Sequence, residues 1–334
     1  MNTISFEDFK KSLEALKSLE AEKVKKAVAM SDALQKLEDE SAEYEYKADM
    51  EFWQAAGIDT QLIKKREQND HEQLQKIIPK LKKTILAQAN KSGTNNDGLM
   101  NTYRDFDQQS SFQVESSLLT GRDLYLEQPL GFDKDIHSDG FDFEGDCMVD
   151  VDENGRPTGY VNLSLQIEGD INSGPTTGVA QATLSLHWML SVDWDGQIYV
   201  GSPFSFNGLL LQANTFSNLK GSHLINLGMS IYKNWPSEEN ELENQNIDFL
   251  NVSHYDDWNR ILSSPGDDFT IGSGNHLVSN GDIIFITTRM IAKITAKGSR
   301  VYTLMDFNMN DFNILFHPLH IRAIDFLVHM PMTS

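Results

Sequence analysis

The hydrophobic period of the chain changes once, near residue 92, and this change limits the folds open to it. Before this point apolar residues recur every three or four positions, whereas after it short runs alternate apolar and polar residues between Gly, Asn, Asp and Pro. The first period is that of amphipathic helices and the second that of half-buried antiparallel strands. The sequence therefore predicts a segregated α+β fold, with a long helical hairpin in residues 1–92 and a large, mainly antiparallel β-sandwich or jelly-roll-like domain in residues 93–334.

The helical hairpin is predicted from its breaks. No Pro or Gly precedes Gly57, so the first helix is expected to run for about fifty residues and to stop at Gly57. Asp59 is the expected N-cap of a second helix, which Pro79 interrupts. The apolar or small positions of the first helix follow an approximate heptad: Phe6, Phe9, Leu13, Leu16, Ala27, Met30, Leu34, Leu37, Tyr44 and Ala48. Glu20 and Lys23 interrupt this seam, so we expect an imperfect coiled coil that packs on the β domain or on other copies of the chain.

Two strands of the β domain are clearest, at residues 160–168 and 182–192. In each, every second residue is apolar, which gives one core face and one polar face. Further strands are predicted at residues 197–200, 204–211, 224–232, 247–252, 282–295, 300–307, 312–316 and 321–329. The polar residues 233–246 are expected to form a surface loop, and residues 92–98 a flexible link between the two domains.

Charge is divided as sharply as the hydrophobic period. Residues 1–92 carry 16 basic and 17 acidic side chains, against 28 and 49 in the whole chain, so residues 93–334 hold nearly all of the net charge of −21. Such a surface repels nucleic acid and anionic lipid, so no nucleic-acid partner is expected. It suits solubility, cations or a basic partner. The single cysteine, Cys147, excludes an intramolecular disulfide.

The sequence shows neither a secretion signal nor a membrane anchor. The first residues lack the apolar core of a signal peptide, and no run approaches the about eighteen apolar residues of a membrane-crossing helix. The cytoplasm is therefore the expected location, and release by lysis or by a dedicated secretion machine would leave no mark in the sequence. A membrane partner is expected only if the chain forms pores.

A calcium site is predicted in the acidic segment 133–153, which holds nine carboxylates and one lysine. Within it Asp150, Asp152 and Asn154, followed by Gly155, match the opening of a calcium-binding loop, whose alternating oxygen ligands suit Ca²⁺. The twelfth position of that loop, which needs Glu, is Val161, so a simple Asn-Gly turn is the competing interpretation. Acidic residues of the adjacent segment are candidate further ligands: Asp139, Asp142, Glu144 and Asp146.

A glycan-binding surface is predicted from two tryptophans in polar surroundings. Trp235 and Trp258 lie in Asn-Trp-Pro and Asp-Asp-Trp-Asn contexts, and Asp256 and Asp257 precede the second. Aromatic faces stack on sugar rings while carboxylates bind hydroxyl groups. The competing interpretation is that both tryptophans pack loops onto the core.

Two alternative functions follow from other patterns. The polar faces of 160–168 and 182–192 fit a membrane-inserting hairpin of a pore-forming toxin subunit, although Glu168 would sit poorly in a bilayer. Paired carboxylates fit a carbohydrate-active hydrolase, with the acids drawn from Asp142, Glu144, Asp193 and Asp195. Asp193 and Asp195 also fit an ordinary Asp-Gly hairpin. Cys147, His317 and His320 lack the sequence context of a nucleophile or a zinc site.

No catalytic signature, cofactor fingerprint or sequence repeat stands out. The leading prediction is therefore a non-enzymatic, self-assembling recognition or structural protein. Its helices would organise homo-oligomers or bind a protein partner, and its acidic β domain would bind a partner, a glycan or Ca²⁺. Components of toxins, virions and injection apparatuses share this general layout, which is an analogy of fold alone.

Overall fold

The computed structural model describes residues 6–62, 65, 76, 80, 119–140, 142–168, 177–214, 220–254, 257–263, 268–297, 301–308 and 312–326. A single long helix, α1 (Phe6–Ala55), comes first and is 50 residues long. Fifteen strands follow it in the described part of the chain. The segregated order of one helical segment followed by strands is the order that the sequence predicts.

The strands form two antiparallel sheets. The smaller, called sheet B here, has the order β2–β5–β12–β7–β8, with β2 (Gly131–Asp139), β5 (Thr177–Ser191), β12 (Ile283–Lys297), β7 (Lys220–Lys233) and β8 (Glu241–His254). The larger, sheet A, holds ten strands: β1 (Leu119–Leu126), β3 (Asp142–Val151), β4 (Pro157–Glu168), β6 (Gly196–Asn214), β9 (Trp258–Leu262), β10 (Asp268–Gly272), β11 (His276–Val278), β13 (Val301–Asp306), β14 (Asn313–Phe316) and β15 (Leu319–Phe326). The path of sheet A is β1–β15–β6–β13–β4–β14, with β3 added on β4 and β9, β10 and β11 on β6.

The two sheets pack face to face around one core, so the predicted β-sandwich is confirmed. The alternating apolar residues of β4 and β5 meet in this core, and the whole of each set is buried: Val161, Leu163, Leu165 and Ile167 from β4, and Ala180, Ala182, Leu184, Leu186 and Trp188 from β5. Because side chains of a strand alternate between faces, the other residues of β5 point to the outer face of sheet B.

Helix α1 crosses the outer face of sheet B. Near its start Leu13 lies against Gly131 of β2, and further along Lys26 pairs with Glu238 just before β8. Thirteen residues of helix rise about 20 Å, which matches the about 19 Å between the first and the fifth strand of a sheet. Residues 13–26 of α1 therefore lie across all five strands.

The end of α1 follows the predicted pattern. Gly57 adopts φ of +79°, the left-handed conformation that favours glycine after a helix. The carboxylate of Asp59 accepts the backbone N–H of Gln61 at 2.9 Å, as an N-cap does. Residues 60–62, 65, 76 and 80 of the predicted second helix are helical. Its other residues, including Pro79, and the predicted domain boundary at residues 92–98 lie outside the described residues, so the complete hairpin stays a prediction.

The predicted hairpin of residues 160–192 is wrong. β4 pairs with β3, β13 and β14 in sheet A, whereas β5 pairs with β2 and β12 in sheet B. Alternation shows that each strand has a buried face, but it does not identify the strand that pairs with it. Here the buried faces of β4 and β5 meet across the core. The Asp-Gly hairpin at Asp195 is wrong for the same reason, because it joins β5 to β6 of the other sheet.

Strands also form in segment 133–153, where no strand was predicted, and in residues 233–246, which were predicted as a loop. The acidic residues of segment 133–153 lie largely on β2 and β3, and β8 begins at Glu241, inside the polar segment 233–246. A strand at the edge of a sheet exposes one face to water, so that face accepts charged and amide side chains without a loop.

Candidate functional site

The candidate site is the space between α1 and the outer face of sheet B. Strand alternation brings the odd-numbered residues of β5 and β12 and the even-numbered residues of β7 to this face. Helix α1 supplies the facing wall. The site therefore combines the N-terminal helix with strands that lie up to about 280 residues further along the chain.

A buried ion network attaches α1 to the sheet. The Glu20 carboxylate accepts a 2.9 Å hydrogen bond from Nη1 of Arg289 and a 2.6 Å bond from the hydroxyl of Tyr232. The Glu20 and Arg289 side chains are only 2% and 7% exposed. Lys23 donates to Tyr232 at 2.6 Å and pairs with Glu241 of β8 at 2.6 Å. Burial, together with the nearby Glu20 carboxylate, raises the pKa of Tyr232 far above its ordinary value, so its hydroxyl stays protonated and donates.

The positions that interrupt the heptad seam are thus the docking residues of the helix. Glu20 is buried together with Leu16, four residues earlier on the same face. Leu16 packs on Tyr232 of β7 and Phe285 of β12. The charged residue in this apolar stripe binds a polar partner on the sheet. The sequence pattern alone does not identify that partner.

A second polar contact lies where α1 meets β2. Lys17 pairs with Asp133 at 3.3 Å, and Asp133 also bonds His187 at 3.0 Å. His187 is buried on the outer face of β5 and bonds Thr287 of β12 through its other ring nitrogen. Burial raises the pKa of Asp133, but the bond to His187 and the charges of His187 and Lys17 outweigh it and hold this pKa below its ordinary value.

Beside these contacts a groove of about 460 Å³ opens between α1 and sheet B. Its lining is amide, cationic and aliphatic: Gln181, Asn226, Asn244, Asn246, Lys23, Lys26, Arg289, Lys293, Val24, Leu224 and Ile291. Among the described residues, no carboxylate, histidine or cysteine belongs to this lining. We call this space the α1 groove.

The floor of the α1 groove is set by strand register. Lys293 of β12 lies directly between Gln181 of β5 and Leu224 of β7. Two residues earlier on β12, Ile291 lies beside Asn226. Consecutive residues on one face of a strand are about 6.8 Å apart, so these positions form parallel rows across the sheet.

A glycine completes the third row. Gly228 of β7 lies between Arg289 of β12 and Asn246 of β8. Nη2 of Arg289 passes over it to donate to Asn246 at 2.6 Å. A Cβ atom at Gly228 would stand 2.7 Å from the Asn246 side-chain oxygen and 3.1 Å from Nη2 of Arg289. The absence of a side chain there is what lets the two groups meet.

Two lining groups have polar atoms without a partner among the described residues. Gln181 is only 8% exposed, and its side-chain amide makes no hydrogen bond with the described part of the chain. The buried Nε–H of Arg289 also has no acceptor there. Buried donors and acceptors are normally satisfied, so unpaired ones that line a groove are candidates for ligand contact.

The predicted glycan residues are not brought together. Trp235 follows the C-terminal end of β7 and is 42% exposed. Trp258 lies near the opposite end of that strand, where its ring stacks on His254 at 4.3 Å. The length of β7 separates them, so they do not form one aromatic platform. Asp257 lies beside Trp258, and Asp256 is outside the described residues.

The acidic residues predicted to bind calcium lie on β3 and on the turn after it. Asp152 caps that turn, because its carboxylate accepts the backbone N–H groups of Asn154 and Arg156 at 2.8 and 2.9 Å. Asp150 accepts from Thr158 at 3.1 Å. Asp142 begins β3, and Glu144 and Asp146, two residues apart on the same strand, share one face. Within the described residues no three acidic, histidine or cysteine side chains are grouped to hold a metal ion, and the calcium site stays a prediction.

The carboxylates proposed for hydrolysis fall into two groups, Asp142 with Glu144 and Asp193 with Asp195, and these groups are far apart. Asp139, which precedes Asp142, pairs with Val179 near the start of β5, whereas Asp193 follows the end of that strand. Twelve or more strand residues span roughly 40 Å, far beyond the separation of a catalytic pair. Asp193 pairs with Arg122 at 2.8 Å, and Asp195 accepts the backbone N–H of Asn280 at 2.9 Å.

Cys147 and the two histidines of the 317–320 segment have structural surroundings. Cys147 is fully buried, and burial raises its pKa to about 11. His317 bonds Ser205 at a buried position of sheet A, and His320 bonds Asp123 at 2.9 Å. None of these groups forms a nucleophilic or zinc-binding arrangement. Among the described helical residues, no stretch is both long enough and apolar enough to cross a membrane.

No protein-family model matches the chain, and no curated protein matches it significantly. Among solved structures, a carbohydrate-binding module in complex with β-1,4-galactotriose is 11% identical, with 53% of this chain and 88% of that chain aligned and a TM-score of 0.18. A family 35 carbohydrate-binding module from Clostridium thermocellum is 12% identical, with 60% and 97% aligned and a TM-score of 0.18.

A β-(1,4)-mannanase from Podospora anserina is 10% identical, with 61% of this chain but only 27% of that chain aligned and a TM-score of 0.21. TM-scores this low do not bear on the function of this chain.

Sequence analysis missed the residues that line the α1 groove. Only Arg289 could have been identified from the sequence. It stands among apolar residues of a predicted strand, where a charged side chain needs a polar partner. Gln181, Asn226 and Asn246 are ordinary polar residues of alternating strands. Their convergence depends on strand pairing, which single-sequence periodicity does not give.

Proposed function

We propose that this protein is a non-enzymatic glycan-binding protein whose binding site is the α1 groove. The observation that carries the proposal is Gln181, a residue only 8% exposed that lines the groove and whose side-chain amide makes no hydrogen bond with the described residues. A buried amide offers both a donor and an acceptor, the pair that neighbouring sugar hydroxyls require.

The rest of the lining supports a saccharide over an apolar ligand. Three asparagine amides stand around the groove with Gln181, and they can bond hydroxyl groups in either direction. Val24, Leu224 and Ile291 supply a limited apolar surface for the C–H faces of a sugar ring. Pockets that bind small ligands typically combine apolar walls with a few placed polar groups.

The same lining supports binding without hydrolysis. Glycoside hydrolysis generally needs two carboxylates on either side of the bond that breaks. The described lining of the α1 groove contains no carboxylate, and the acids predicted for this role lie elsewhere. The groove therefore has the groups that hold a sugar but lacks those that cleave it.

A glycan array followed by isothermal titration calorimetry tests this proposal. The full-length protein is screened against neutral and acidic oligosaccharides, and the strongest ligands are titrated. Gln181→Ala is expected to weaken binding about tenfold, because it removes hydrogen bonds made only to the ligand. Thr183→Ala is the matched control: Thr183 is on the same face of β5, is also buried and does not line the groove.

Comparison of Gln181→Ala with Thr183→Ala decides whether the saccharide binds in the α1 groove. Thr183→Ala should bind as the parent does, and both variants should keep the parent melting temperature within a few degrees. Absence of any saccharide ligand would refute the proposal. Equal binding by the parent and Gln181→Ala would show that the saccharide does not bind in the α1 groove.

Assembly through the helices is a second proposal, which the distal part of α1 supports. Two large apolar side chains of α1 beyond the docked segment, eight residues apart, are mostly exposed: Tyr44 at 77% and Phe52 at 68%. Exposed apolar side chains at helical spacing favour contact with another helix, and a second copy of the chain supplies one. Light scattering of the full chain should show an oligomer that Tyr44→Ser with Phe52→Ser dissociates, while Glu51→Ser does not. A monomeric parent would refute this assembly.

A further inference from the structure

The charges that line the α1 groove are balanced by groups beside it. Glu20 and Asn246 bind the two terminal nitrogens of Arg289. The lysines of α1 also pair with carboxylates: Lys23 with Glu20 and Glu241, and Lys26 with Glu22 and Glu238. Lys293 is not free either. The groove therefore offers a ligand no excess of either charge, which favours an uncharged ligand, since a charged one loses its hydration without gaining a counter-ion.

Gln181 offers the groove an amide that a ligand can reach. The residue is only 8% exposed, and its side chain bonds none of the described residues. Its amide atoms are nevertheless not among the unpaired polar atoms that the protein encloses completely. A ligand in the groove can therefore bond with this amide without displacing the neighbouring side chains.

Asn226 offers an acceptor of fixed orientation. Its side-chain nitrogen donates to the exposed carboxylate of Asp248 at 2.8 Å. A carboxylate accepts and does not donate, so this contact determines which atom of the Asn226 amide is the nitrogen. The oxygen, Oδ1, has no donor among the described residues. Because Asp248 lies on β8 and Asn226 lines the groove, this oxygen faces away from β8, on the side of the groove.

The separation of the two amides matches the size of a secondary amide group. Gln181 on β5 and Asn226 on β7 lie on either side of β12, opposite Lys293 and Ile291. The two positions are thus about 10 Å apart across the sheet and about 7 Å apart along it. Both side chains extend into the groove, which shortens this gap. A secondary amide with a hydrogen bond at each end spans about 8 Å.

We infer that the ligand of the α1 groove is an N-acetylated saccharide, whose acetamido group lies over Ile291, donates its N–H to Asn226 and accepts a hydrogen bond from Gln181. This inference rests on the proposed glycan-binding function and gives its ligand class. The N–H and C=O of a trans amide point in opposite directions, as two partners on opposite sides require. The acetyl methyl would contact Leu224 and Ile291, which are half-buried in the lining. A hydroxyl in place of the acetamido group could reach only one of the two amides.

The test compares saccharides that differ only in the acetamido group. Calorimetry measures the full-length protein with the β-1,4-linked tetramers of N-acetylglucosamine and of glucose, and with N-acetyllactosamine and lactose. In each pair a hydroxyl replaces the acetamido group. At least one acetylated member should bind about tenfold more tightly than its counterpart, since a neutral hydrogen bond and a buried methyl together account for such a factor.

Two asparagines that bond the same carboxylate give a matched pair of variants. Asn226 and Asn251 donate to Asp248 at 2.8 and 3.0 Å, but of the two only Asn226 lines the groove. Asn226→Ala should reduce the preference for the acetylated member several-fold and leave the affinity for its counterpart unchanged. Asn251→Ala should change neither, which separates the ligand contact from the lost bond to Asp248. The comparison of saccharides on the parent protein stands even if a variant folds poorly.

The outcomes distinguish the inference from the function on which it rests. Equal affinity within both pairs overturns the inference but keeps glycan binding. A preference that Asn226→Ala leaves intact, or that both variants reduce equally, also overturns it, because the acetamido group would then not lie between Gln181 and Asn226. Absence of binding by every saccharide in both the array and the titrations overturns the glycan-binding function itself.

Discussion

The Glu20 carboxylate of α1 and the Arg289 guanidinium of β12 are 2.9 Å apart, although 269 residues separate them in the chain. Their side chains are almost completely buried, and Tyr232 donates a second hydrogen bond to Glu20. A buried ion pair adds little net stability by itself, but removing one member leaves the other charge uncompensated. This pair therefore makes α1 sensitive to single substitutions at its docking face.

Glu20→Ala is expected to destabilise the docked helix by about 3–5 kcal/mol, because Arg289 would stay buried without its partner. Urea unfolding followed by circular dichroism measures this loss. The double variant Glu20→Ala with Arg289→Met should recover a large part of it, since no charge then remains. A loss below about 1 kcal/mol would show that water satisfies Arg289 in the variant.

Leu16→Ala tests the apolar part of the same interface. Leu16 is fully buried against Tyr232 and Phe285, so its truncation should cost about 2–5 kcal/mol. Leu62→Ala is the control, because that leucine is 64% exposed and should change stability by less than about 0.5 kcal/mol. Amide hydrogen exchange in α1 provides the readout. Similar exchange rates in both variants would contradict the docked position of the helix.

Mild acid should destabilise the sandwich through its buried histidines. Burial lowers the pKa of His223 to about 4, below its ordinary value of 6.5, and burial also lowers those of His254 and His317. The unfolded chain therefore takes up protons first, so the free energy of unfolding falls as the pH drops from 6.5 towards 4. The contribution of His223 is about 3 kcal/mol.

Urea unfolding at several pH values between 7 and 4 would measure that loss, and His223→Gln should flatten the profile. The lowered carboxyl pKa values of Asp133 and Asp282 act below their ordinary value of 3.8, outside this window. An unchanged slope in the variant would assign the acid sensitivity to other groups.

Cys147 should react only after unfolding. Its side chain is fully buried and burial raises its pKa to about 11, so at pH 8 the thiolate fraction is about a hundredfold lower than that of an ordinary cysteine. A chromogenic disulfide reagent should label the urea-denatured protein at once and the native protein only at the rate of unfolding. Rapid labelling of the native protein would contradict the packing around β3.

The sequence predicted the positions of helices and strands better than the pairing of the strands. The alternation at residues 160–168 and 182–192 identified β4 and β5, and Gly57 with Asp59 identified the break after α1, because these signals are local. Strand pairing is not local: both strands have a buried face, yet those faces belong to different sheets. The α1 groove escaped prediction for the same reason, since Gln181 meets Lys293 only through the pairing of β5 with β12.

The position of α1 across sheet B also has a consequence for biosynthesis. The helix leaves the ribosome well before its partner strand β12, which ends only at Lys297. At about 5–20 residues per second, the 269 residues between Glu20 and Arg289 take roughly 13–54 s to translate. For that interval Leu16 and Glu20 have no sheet to dock on, so the nascent helix is a natural substrate for a chaperone.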